Sequence, residues 1–279
     1  DAFCQGYKAF LDAGKTEREC VAEALRQLEA AGYQPVDYSR QYQPGDKVYA
    51  VNRNKALLIT TFGKKPVKEG VRINGAHIDS PRLDLKPNPL YEKHDIGYFK
   101  THYYGGIRKY QWGTVPLAMH GVVVKKNGEL VEVCLGEAED EPVFCISDLL
   151  PHLGAKQNER KLGEGLRGEE LNVIVGSVPY ADDKVKEPVK LLALQLLHER
   201  YGITEADFFR AELEMVPAHK ARDVGFDRSM VGAYGQDDRV CAYTALRAEI
   251  ETAEPTYTTI TVLADKEEIG SDGNTGMNS

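Results

Sequence analysis

The sequence predicts an α/β protein that carries a mainly β insertion between its two ends. Apolar residues recur at helical spacing over residues 17–31, and a second helical stretch over 240–250 leads into an apolar, β-branched strand over 256–264. Residues 87–142 differ in composition, with many aromatic side chains and a Gly-Gly pair, which favours β structure. This arrangement implies two domains, the first of them discontinuous in sequence.

The opening elements carry recognisable boundary signals. Thr16 followed by Glu19 forms a capping-box pattern, which predicts that a helix begins directly after Thr16 and continues until Gly32. Short apolar or alternating runs bounded by Gly, Asn and Pro then predict three strands. These strands are expected at Lys47–Asn52, residues 55–62 and Val71–His77.

The insertion contains a hairpin signal. Asn127-Gly128 separates the runs 121–126 and 129–135 in the manner of a tight β-turn between two strands. The other elements expected between this hairpin and the closing helix are a loop over 156–170, a strand over 171–178, a helix from Pro188 to Gly202 and a strand over 215–223.

The composition excludes several classes of function. Among 279 residues, 35 Lys and Arg stand against 43 Asp and Glu, and the net charge of −8 offers no basic face for nucleic acid. The longest apolar stretch, over 189–197, is interrupted by Lys190 and Gln195 and falls short of the ~20 residues that a membrane-spanning helix requires. Five scattered cysteines without a Cys-x-x-Cys pair favour free thiols in a reducing, cytoplasmic compartment.

The first candidate for chemistry is the His77-Ile78-Asp79 motif at the end of a predicted strand. Residues two apart on a strand point to the same side, so the imidazole and the carboxylate are expected to be neighbours. In such a pair the histidine can ligate a metal and the aspartate can orient the ring, because a ligating histidine usually bonds a second group through its other ring nitrogen. Taken alone, a motif of this kind is more often a surface turn.

Two acidic motifs follow later in the chain. Asp237 and Asp238 precede a predicted helix, where aspartate is more often a helix cap or a solvated loop residue. Glu267 and Glu268 directly follow the apolar strand over 256–264. Their side chains diverge, so one can ligate a metal while the other faces a bound water, although a solvated charged turn is the commoner meaning of such a pair.

Taken together, the motifs point to a metal site. All three lie at the carboxyl ends of predicted strands or in the loops after them, where open α/β sheets place their ligand crevice. If they converge, four carboxylates gather beside His77, those of Asp79, Asp237, Glu267 and Glu268. Like charges raise one another's pKa, so the cluster requires counter-charge, which two divalent cations would supply. Mixed imidazole and carboxylate ligands suit Zn²⁺, with Mn²⁺ and Co²⁺ as alternatives.

In this order and spacing, the motifs resemble the successive signatures of the aspartyl aminopeptidase family of dinuclear zinc exopeptidases. The matching segments are Ala76-His77-Ile78-Asp79-Ser80-Pro81, Gly235-Gln236-Asp237-Asp238 and Glu267-Glu268-Ile269-Gly270-Ser271. The segment from Tyr104-Gly105-Gly106 to Trp112 and the opening helix also match in place, so the resemblance covers essentially the whole chain. It implies a zinc-exopeptidase-like mixed sheet flanked by helices, with an inserted β-rich dimerisation domain.

The resemblance also implies a role for each motif residue. His77 is expected to bind one metal, Asp237 to bridge both, and Glu268 to bind the second. Glu267 is expected to be the general base, and Asp79 to orient or tune His77. Two such cations would lower the pKa of a bridging water, polarise the scissile carbonyl and clamp the free amino terminus of the substrate. The family fold further implies a cis peptide bond directly after the bridging aspartate.

Domain boundaries and assembly follow from the same resemblance. The catalytic domain is expected to comprise residues 1–86 and 217–279, and the insertion residues 87–216. In the family the insertion mediates dimerisation and higher assembly, which implies a homo-oligomer whose dimers build a larger, dodecameric shell. His152 sits where relatives lend a histidine to a neighbouring subunit's site, which makes it a candidate substrate-binding residue.

We therefore expect a cytoplasmic metallo-aminopeptidase that removes the N-terminal residue from peptides, with acidic residues preferred by family analogy alone. The open alternatives are a carboxypeptidase or deacylase with the same dinuclear site, and a non-catalytic assembly module of the same fold. Relatives extend beyond the Glu-Glu motif and supply an aspartate and a histidine as further ligands. The resemblance thus implies a C-terminally incomplete chain that binds metal weakly unless another chain completes the site.

Overall fold

The structure is a computed structural model that describes residues 2–278. Its helices are α1 (Ala2–Ala13), α2 (Glu17–Ala30), α3 (Ala155–Asn158), α4 (Pro188–Tyr201) and α5 (Gln236–Glu251). Its strands are β1 (Gln34–Pro35), β2 (Lys47–Asn52), β3 (Ala56–Thr61), β4 (Val71–His77), β5 (Arg82–Lys93), β6 (Ile96–Tyr104), β7 (Leu117–Val124), β8 (Leu130–Leu135), β9 (Val173–Gly176), β10 (Ala211–Pro217), β11 (Arg222–Val224), β12 (Met230–Gly232) and β13 (Thr258–Ala264). The predicted α/β class is confirmed. Within this described part, every helix is too short or too polar to cross a membrane.

The contacts of the chain divide it into two units. The first comprises the residues up to Ser80 and those from Lys220 onward, and the second is Pro81–His219. The predicted insertion comprises residues 87–216. The structure places its start earlier, because β5 begins at Arg82 and pairs with β6 and β10, which both belong to the second unit.

The first unit contains a five-stranded mixed sheet in the order β1-β2-β3-β13-β4. Strand β13 is antiparallel to β3 and parallel to β4. One apolar core joins the helices of this unit to the sheet, and its fully buried members include Phe10, Leu28, Ile59, Ile78, Leu246 and Leu263. In the parallel pair Ala264 is the partner of His77, so the segments that follow β4 and β13 leave the same edge of the sheet side by side.

Helix α2 begins as predicted. The Thr16 hydroxyl accepts a hydrogen bond from the Glu19 N–H at 3.3 Å, and the Glu19 carboxylate accepts one from the Thr16 N–H at 3.0 Å. These reciprocal bonds satisfy two backbone donors that a helix start leaves without partners. The structure adds α1, to which the sequence analysis assigned no element and whose Phe10 and Leu11 are buried in the core.

The second unit contains a six-stranded antiparallel sheet in the order β8-β7-β10-β5-β6-β9. The predicted hairpin is confirmed, because β7 pairs with β8 and the Lys125 N–H donates to the Glu129 carbonyl at 2.8 Å across the Asn127-Gly128 turn. Helix α4 starts at Pro188 and is capped by left-handed Gly202, as predicted. This unit has its own core, which includes Leu83, Phe99, Leu117, Met119, Ile146, Val173 and Met215.

Strand β10 differs from its prediction. The predicted strand covers 215–223, whereas the observed strand is Ala211–Pro217. Its first half carries Glu212 and Glu214, and charges at alternate positions look like a solvated segment. Glu214 is nevertheless buried, and its carboxylate lies 3.3 Å from the guanidinium of Arg82 on β5. A buried ion pair with a strand far away in sequence cannot be recognised from the local pattern.

Candidate metal centre

The three motifs come together at one edge of the sheet in the first unit. His77 is the last residue of β4, and Asp79 lies two residues beyond it. Glu267 and Glu268 occupy a single 3-10 turn directly after β13. Asp237 lies at the start of α5, which packs on both β4 and β13. The convergence follows from the topology, because parallel neighbours deliver the segments after their carboxyl ends to the same place.

The imidazole of His77 lies between two sets of carboxylates. Its Nδ1 is 3.0 Å from the backbone oxygen of Asp79 and 3.2 Å from Oδ1 of the same residue. Its Nε2 is 3.3 Å from Asp237 Oδ1 and 3.7 Å from Glu267 Oε2. Because Nδ1 is engaged by Asp79, Nε2 is the nitrogen that faces the other carboxylates. This is the orientation that a metal-ligating histidine takes when a carboxylate supports its other ring nitrogen.

Asp79 also holds the Glu-Glu turn. Its side chain is 0% exposed. One carboxylate oxygen accepts a hydrogen bond from the Glu267 N–H and the other from the Glu268 N–H, both at 3.2 Å. The family resemblance implies for Asp79 only a role in orienting or tuning His77. The structure shows that one buried carboxylate joins the histidine to the backbone of both glutamates, and so fixes two of the three motifs relative to each other.

The backbone of the Asp237 motif has a cis peptide bond and accepts a hydrogen bond from Ser80. The peptide bond between Asp237 and Asp238 is cis, which confirms the expectation from the family resemblance. The Ser80 hydroxyl donates to the backbone oxygen of Asp237 at 2.9 Å. The side chain of Asp237 is 87% exposed and that of Glu267 is 55% exposed, so both carboxylates are accessible to solvent.

The surroundings of the cluster raise the pKa values of His77 and Glu268. Burial opposes protonation of the His77 imidazole, but the hydrogen bonds and charge of Asp79, together with the charge of Glu267, outweigh it and raise the pKa of His77 to about 9. Burial raises the pKa of Glu268, and the negative charges of Asp79, Asp237 and Glu267 raise it further against the effect of His77. Both shifts favour the protonated forms of these two side chains.

The donor chemistry fits zinc, although the donors are few. Imidazole nitrogen and carboxylate oxygen are zinc ligands, and a structural or catalytic zinc usually takes four ligands including water. His77, Asp237 and Glu268 can supply these donors, but over residues 2–278 no group of three or more His, Cys, Asp or Glu side chains is arranged to hold a single ion. The described residues therefore offer zinc-type donors at this edge without a complete set of ligands for one ion.

The predicted substrate-binding residue is His152. It belongs to the second unit, in an exposed turn between Leu149 and Gly154. The neighbouring side chains of Leu149, Leu150 and Leu153 are exposed as well. A contact of His152 with another subunit's site stays a prediction.

The structure adds Asp265 to the residues around the centre. It is buried, and its carboxylate accepts hydrogen bonds from the Thr275 hydroxyl at 2.6 Å and from the Lys266 N–H at 2.8 Å. Burial raises the pKa of Asp265, and the nearby charge of Glu17 raises it further. The carboxylate ties the turn that carries the glutamates to the segment after it. The only local signal was an acidic residue at the end of an apolar strand, which does not show that its side chain points inward.

By its fold and by this donor set, the chain falls in the class of α/β metallopeptidases. The family model described as Aminopeptidase I zinc metalloprotease (M18) matches residues 10–279, and the chain belongs to this family. The resemblance to the aspartyl aminopeptidase family seen in the motifs is thereby confirmed.

Individual relatives support the same assignment. The chain is 53% identical over 277 residues to a probable M18 family aminopeptidase 1 of Clostridium acetobutylicum, a match that covers 98% of this chain and 60% of the relative. The crystal structure of an M18 family aminopeptidase from Thermotoga maritima matches with a TM-score of 0.93 at 49% identity, over 99% of this chain and 60% of that one. The mApe1 dodecamer of S. cerevisiae matches with a TM-score of 0.74 at 21% identity, over 98% of this chain and 62% of that one, and this likeness shows the fold alone. The chain thus spans about 60% of the length of the curated relatives it matches.

Proposed function

We propose that this protein is a zinc-dependent aminopeptidase that hydrolyses the N-terminal residue from peptides, with acidic N-terminal residues preferred. The observation that carries the proposal is the position of the His77 imidazole, with Nδ1 at 3.2 Å from the buried Asp79 carboxylate and Nε2 at 3.3 Å from Asp237. Membership of a zinc metalloprotease family supports the chemistry. The acidic preference rests on the resemblance to the aspartyl aminopeptidase family.

Two zinc ions would be held by His77, Asp237 and Glu268, with His77 as a ligand of one ion, Glu268 of the other and Asp237 of both. When bound, zinc supplies polarisation of the scissile carbonyl and lowers the pKa of the attacking water. His77, Asp237 and Glu268 together provide fewer than four ligands for each ion, the number that zinc usually takes.

Glu267 is the proposed general base. Its carboxylate lies beside the donor set, 3.7 Å from His77 Nε2, and is half exposed, so it can reach the attacking water. It accepts the proton of that water and delivers it to the leaving amine, which turns a poor leaving group into a good one. Asp79 does not reach the substrate in this proposal. It keeps Nδ1 of His77 engaged and holds the backbone of Glu267 and Glu268 in place.

The proposed assembly is a homo-oligomer that forms through the second unit. The S. cerevisiae mApe1 structure is a dodecamer, and we extend assembly of this kind to the present protein. His152, which is exposed in the second unit, would then be lent to the site of a neighbouring subunit. A cytoplasmic location is part of the same proposal, supported by the five cysteines, which are all free thiols.

The decisive experiment compares two chromogenic substrates on the purified protein after zinc loading. A glutamyl or aspartyl amide with a free amino group should be hydrolysed, and the N-acetylated form of the same compound should not. Removal of zinc with a chelator should abolish hydrolysis, and re-addition should restore it. Cleavage of the N-acylated compound, or release of C-terminal residues from a peptide, would instead identify a deacylase or a carboxypeptidase.

A non-catalytic assembly module is the second candidate. It is favoured by the finding that His, Cys, Asp and Glu side chains of residues 2–278 form no group of three that could hold one ion. Zinc content separates the two candidates. A protein that assembles into oligomers but retains no zinc after dialysis, and that hydrolyses neither substrate, is a scaffold.

A further inference from the structure

Arg239 is a buried charge next to the candidate metal centre. It lies two residues after Asp237 on α5 and is 1% exposed. Its guanidinium faces the ring of Tyr234, with 5.4 Å between Cζ and the ring centroid. The motifs that define the family resemblance stop one residue before it, and the proposed chemistry gives it no role. An arginine buried this deeply requires a structural or functional reason, because its charge is removed from water.

The guanidinium connects three segments that are far apart in sequence. Its Nε donates to the backbone oxygen of Ile78 at 3.2 Å, between His77 and Asp79. Its Nη2 donates to the backbone oxygen of Lys15 at 3.0 Å, in the turn between α1 and α2. Only arginine offers several donors in one rigid plane, which lets it hold two carbonyl groups at a set angle.

The third nitrogen lies against the turn that precedes Asp237. Gly235 has a φ of +76°, and a Cβ at this position would be 2.1 Å from Nη1 of Arg239 and 3.3 Å from the hydroxyl of Ser80. That hydroxyl in turn bonds the backbone of Asp237. Glycine at this position therefore leaves space for the guanidinium as well as allowing the left-handed backbone.

We propose that Arg239 is a positioning residue that sets the distance between the His77-Asp79 segment and Asp237, and thereby the affinity of the site for zinc. The proposal rests on the function proposed above. Its physical basis is that Arg239 connects the two donors. It is two residues from Asp237 in the chain, and it donates a hydrogen bond to the backbone oxygen of Ile78, which lies between His77 and Asp79. Loss of the guanidinium removes one of the links between the two segments and leaves the Ser80–Asp237 hydrogen bond and every donor atom in the chain.

The first test is Arg239→Lys in the zinc-loaded protein. The lysine keeps the charge, but a single ammonium group cannot reach both carbonyl oxygens. We expect the zinc dissociation constant, measured by chelator competition, to rise about 10-fold to 100-fold, as is typical when a group that supports a metal ligand is removed. The visible absorption of the Co²⁺-substituted protein should change at the same time, because it reports on the geometry of the ligands.

The second test perturbs the guanidinium without replacing it. Gly235→Ala places a Cβ against Nη1 and should weaken zinc binding about tenfold. The matched control is Gly32→Ala, because Gly32 also has positive φ, at +87°, but nothing lies within 4 Å of its Cβ position. That control carries the same kind of backbone strain at the end of α2 and should leave zinc affinity unchanged within about twofold. In an Arg239→Met background, Gly235→Ala should add almost no further loss, because the clash has been removed.

The outcomes separate this proposal from the function on which it rests. If the wild-type protein binds no zinc, the proposed function fails and this role fails with it. If the wild type binds zinc and hydrolyses the acidic amide, but Arg239→Lys and Gly235→Ala bind zinc equally well, only the positioning role is overturned. Circular dichroism of the zinc-free proteins monitors folding. If both variants fail to fold while Gly32→Ala folds, the guanidinium supports the fold itself and the positioning role is overturned as well.

Discussion

His77 and Asp79 connect the end of β4 to the turn that carries Glu267 and Glu268. A strand places residues two apart on the same side, so their proximity is a local property of the chain. The further bonds of Asp79, to the N–H groups of Glu267 and Glu268, join positions 188 and 189 residues apart. A carboxylate that accepts backbone donors in a buried place has its orientation fixed by those donors. The pair therefore positions the histidine and the turn that carries the proposed base together.

Glu267→Gln is expected to abolish turnover while zinc content stays unchanged. The amide keeps the shape of the side chain but cannot accept the proton of the attacking water, and loss of a general base typically lowers the rate by about 10²-fold to 10⁴-fold. The measurement pairs hydrolysis of the acidic chromogenic amide with zinc quantified per chain. Glu268→Gln is the matched control and should lose zinc as well as activity. Zinc lost from Glu267→Gln with activity retained would contradict the assigned role.

Zinc affinity is expected to rise with pH up to about pH 9. The pKa of His77 is raised to about 9 in the metal-free protein, so below that pH the imidazole is protonated and zinc must displace a proton. The apparent dissociation constant should fall about tenfold for each pH unit between 7 and 9 and then level off. Chelator competition across this range provides the measurement.

Asp79→Asn serves as the control for this pH dependence. It removes the negative charge that raises the pKa of His77, so the zinc dissociation constant should stop falling at a lower pH than in the original protein. An affinity that does not change between pH 7 and 9 in the original protein would show that zinc displaces no proton from His77.

At the scale of elements, boundaries with a local chemical cause were predictable and boundaries with a distant cause were not. The capping box of α2, the turn of the β7–β8 hairpin and the glycine cap of α4 each depend on residues that are neighbours in sequence. Strand β10 depends on the burial of Glu214 beside Arg82. Helix α1 depends on the burial of side chains such as Phe10 against the rest of the core.

Thr16→Ala is expected to lower the free energy of unfolding by about 1 kcal/mol, the usual effect of removing an N-cap side chain. The hydroxyl accepts the Glu19 N–H, and alanine leaves that donor without its partner in a buried turn. Denaturant unfolding followed by circular dichroism measures the change. Thr16→Ser keeps the hydroxyl and should remain within a few tenths of a kcal/mol of the original protein. Equal stability of the alanine and serine variants would contradict the capping role.

At the scale of the whole molecule, the chain folds as two units, one of which is inserted into the other. The second unit starts and ends on neighbouring antiparallel strands, since Leu83 of β5 is the register partner of Met215 of β10. Its two ends therefore leave the sheet close together. This geometry explains how a unit of this size can interrupt the first unit without separating the elements that form the mixed sheet.

The fragment of residues 81–219 is expected to fold on its own. It contains a complete six-stranded sheet, helix α4 and a separate apolar core. An expressed fragment should therefore show dispersed amide resonances and a single cooperative urea transition. The first unit cannot be expressed as one continuous stretch of the chain, because its two parts must first be joined by a linker. A fragment that binds hydrophobic dyes and unfolds without a cooperative transition would show that this core requires the first unit.

The sequence by itself determined the α/β class, the β-rich character of the insertion, the starts and ends of α2 and α4, and the three motifs of the candidate centre. Each of these is encoded by periodicity, turn chemistry or short motifs, which act between residues close together in the chain. The tertiary structure decided what supports the centre, namely the bonds of Asp79 to the Glu-Glu turn and the bonds of Arg239 to Ile78 and Lys15. The physical reason is that backbone groups carry no sequence signal. Which of them a buried carboxylate or guanidinium reaches depends on the order of the strands, and that order exists only in the folded sheet.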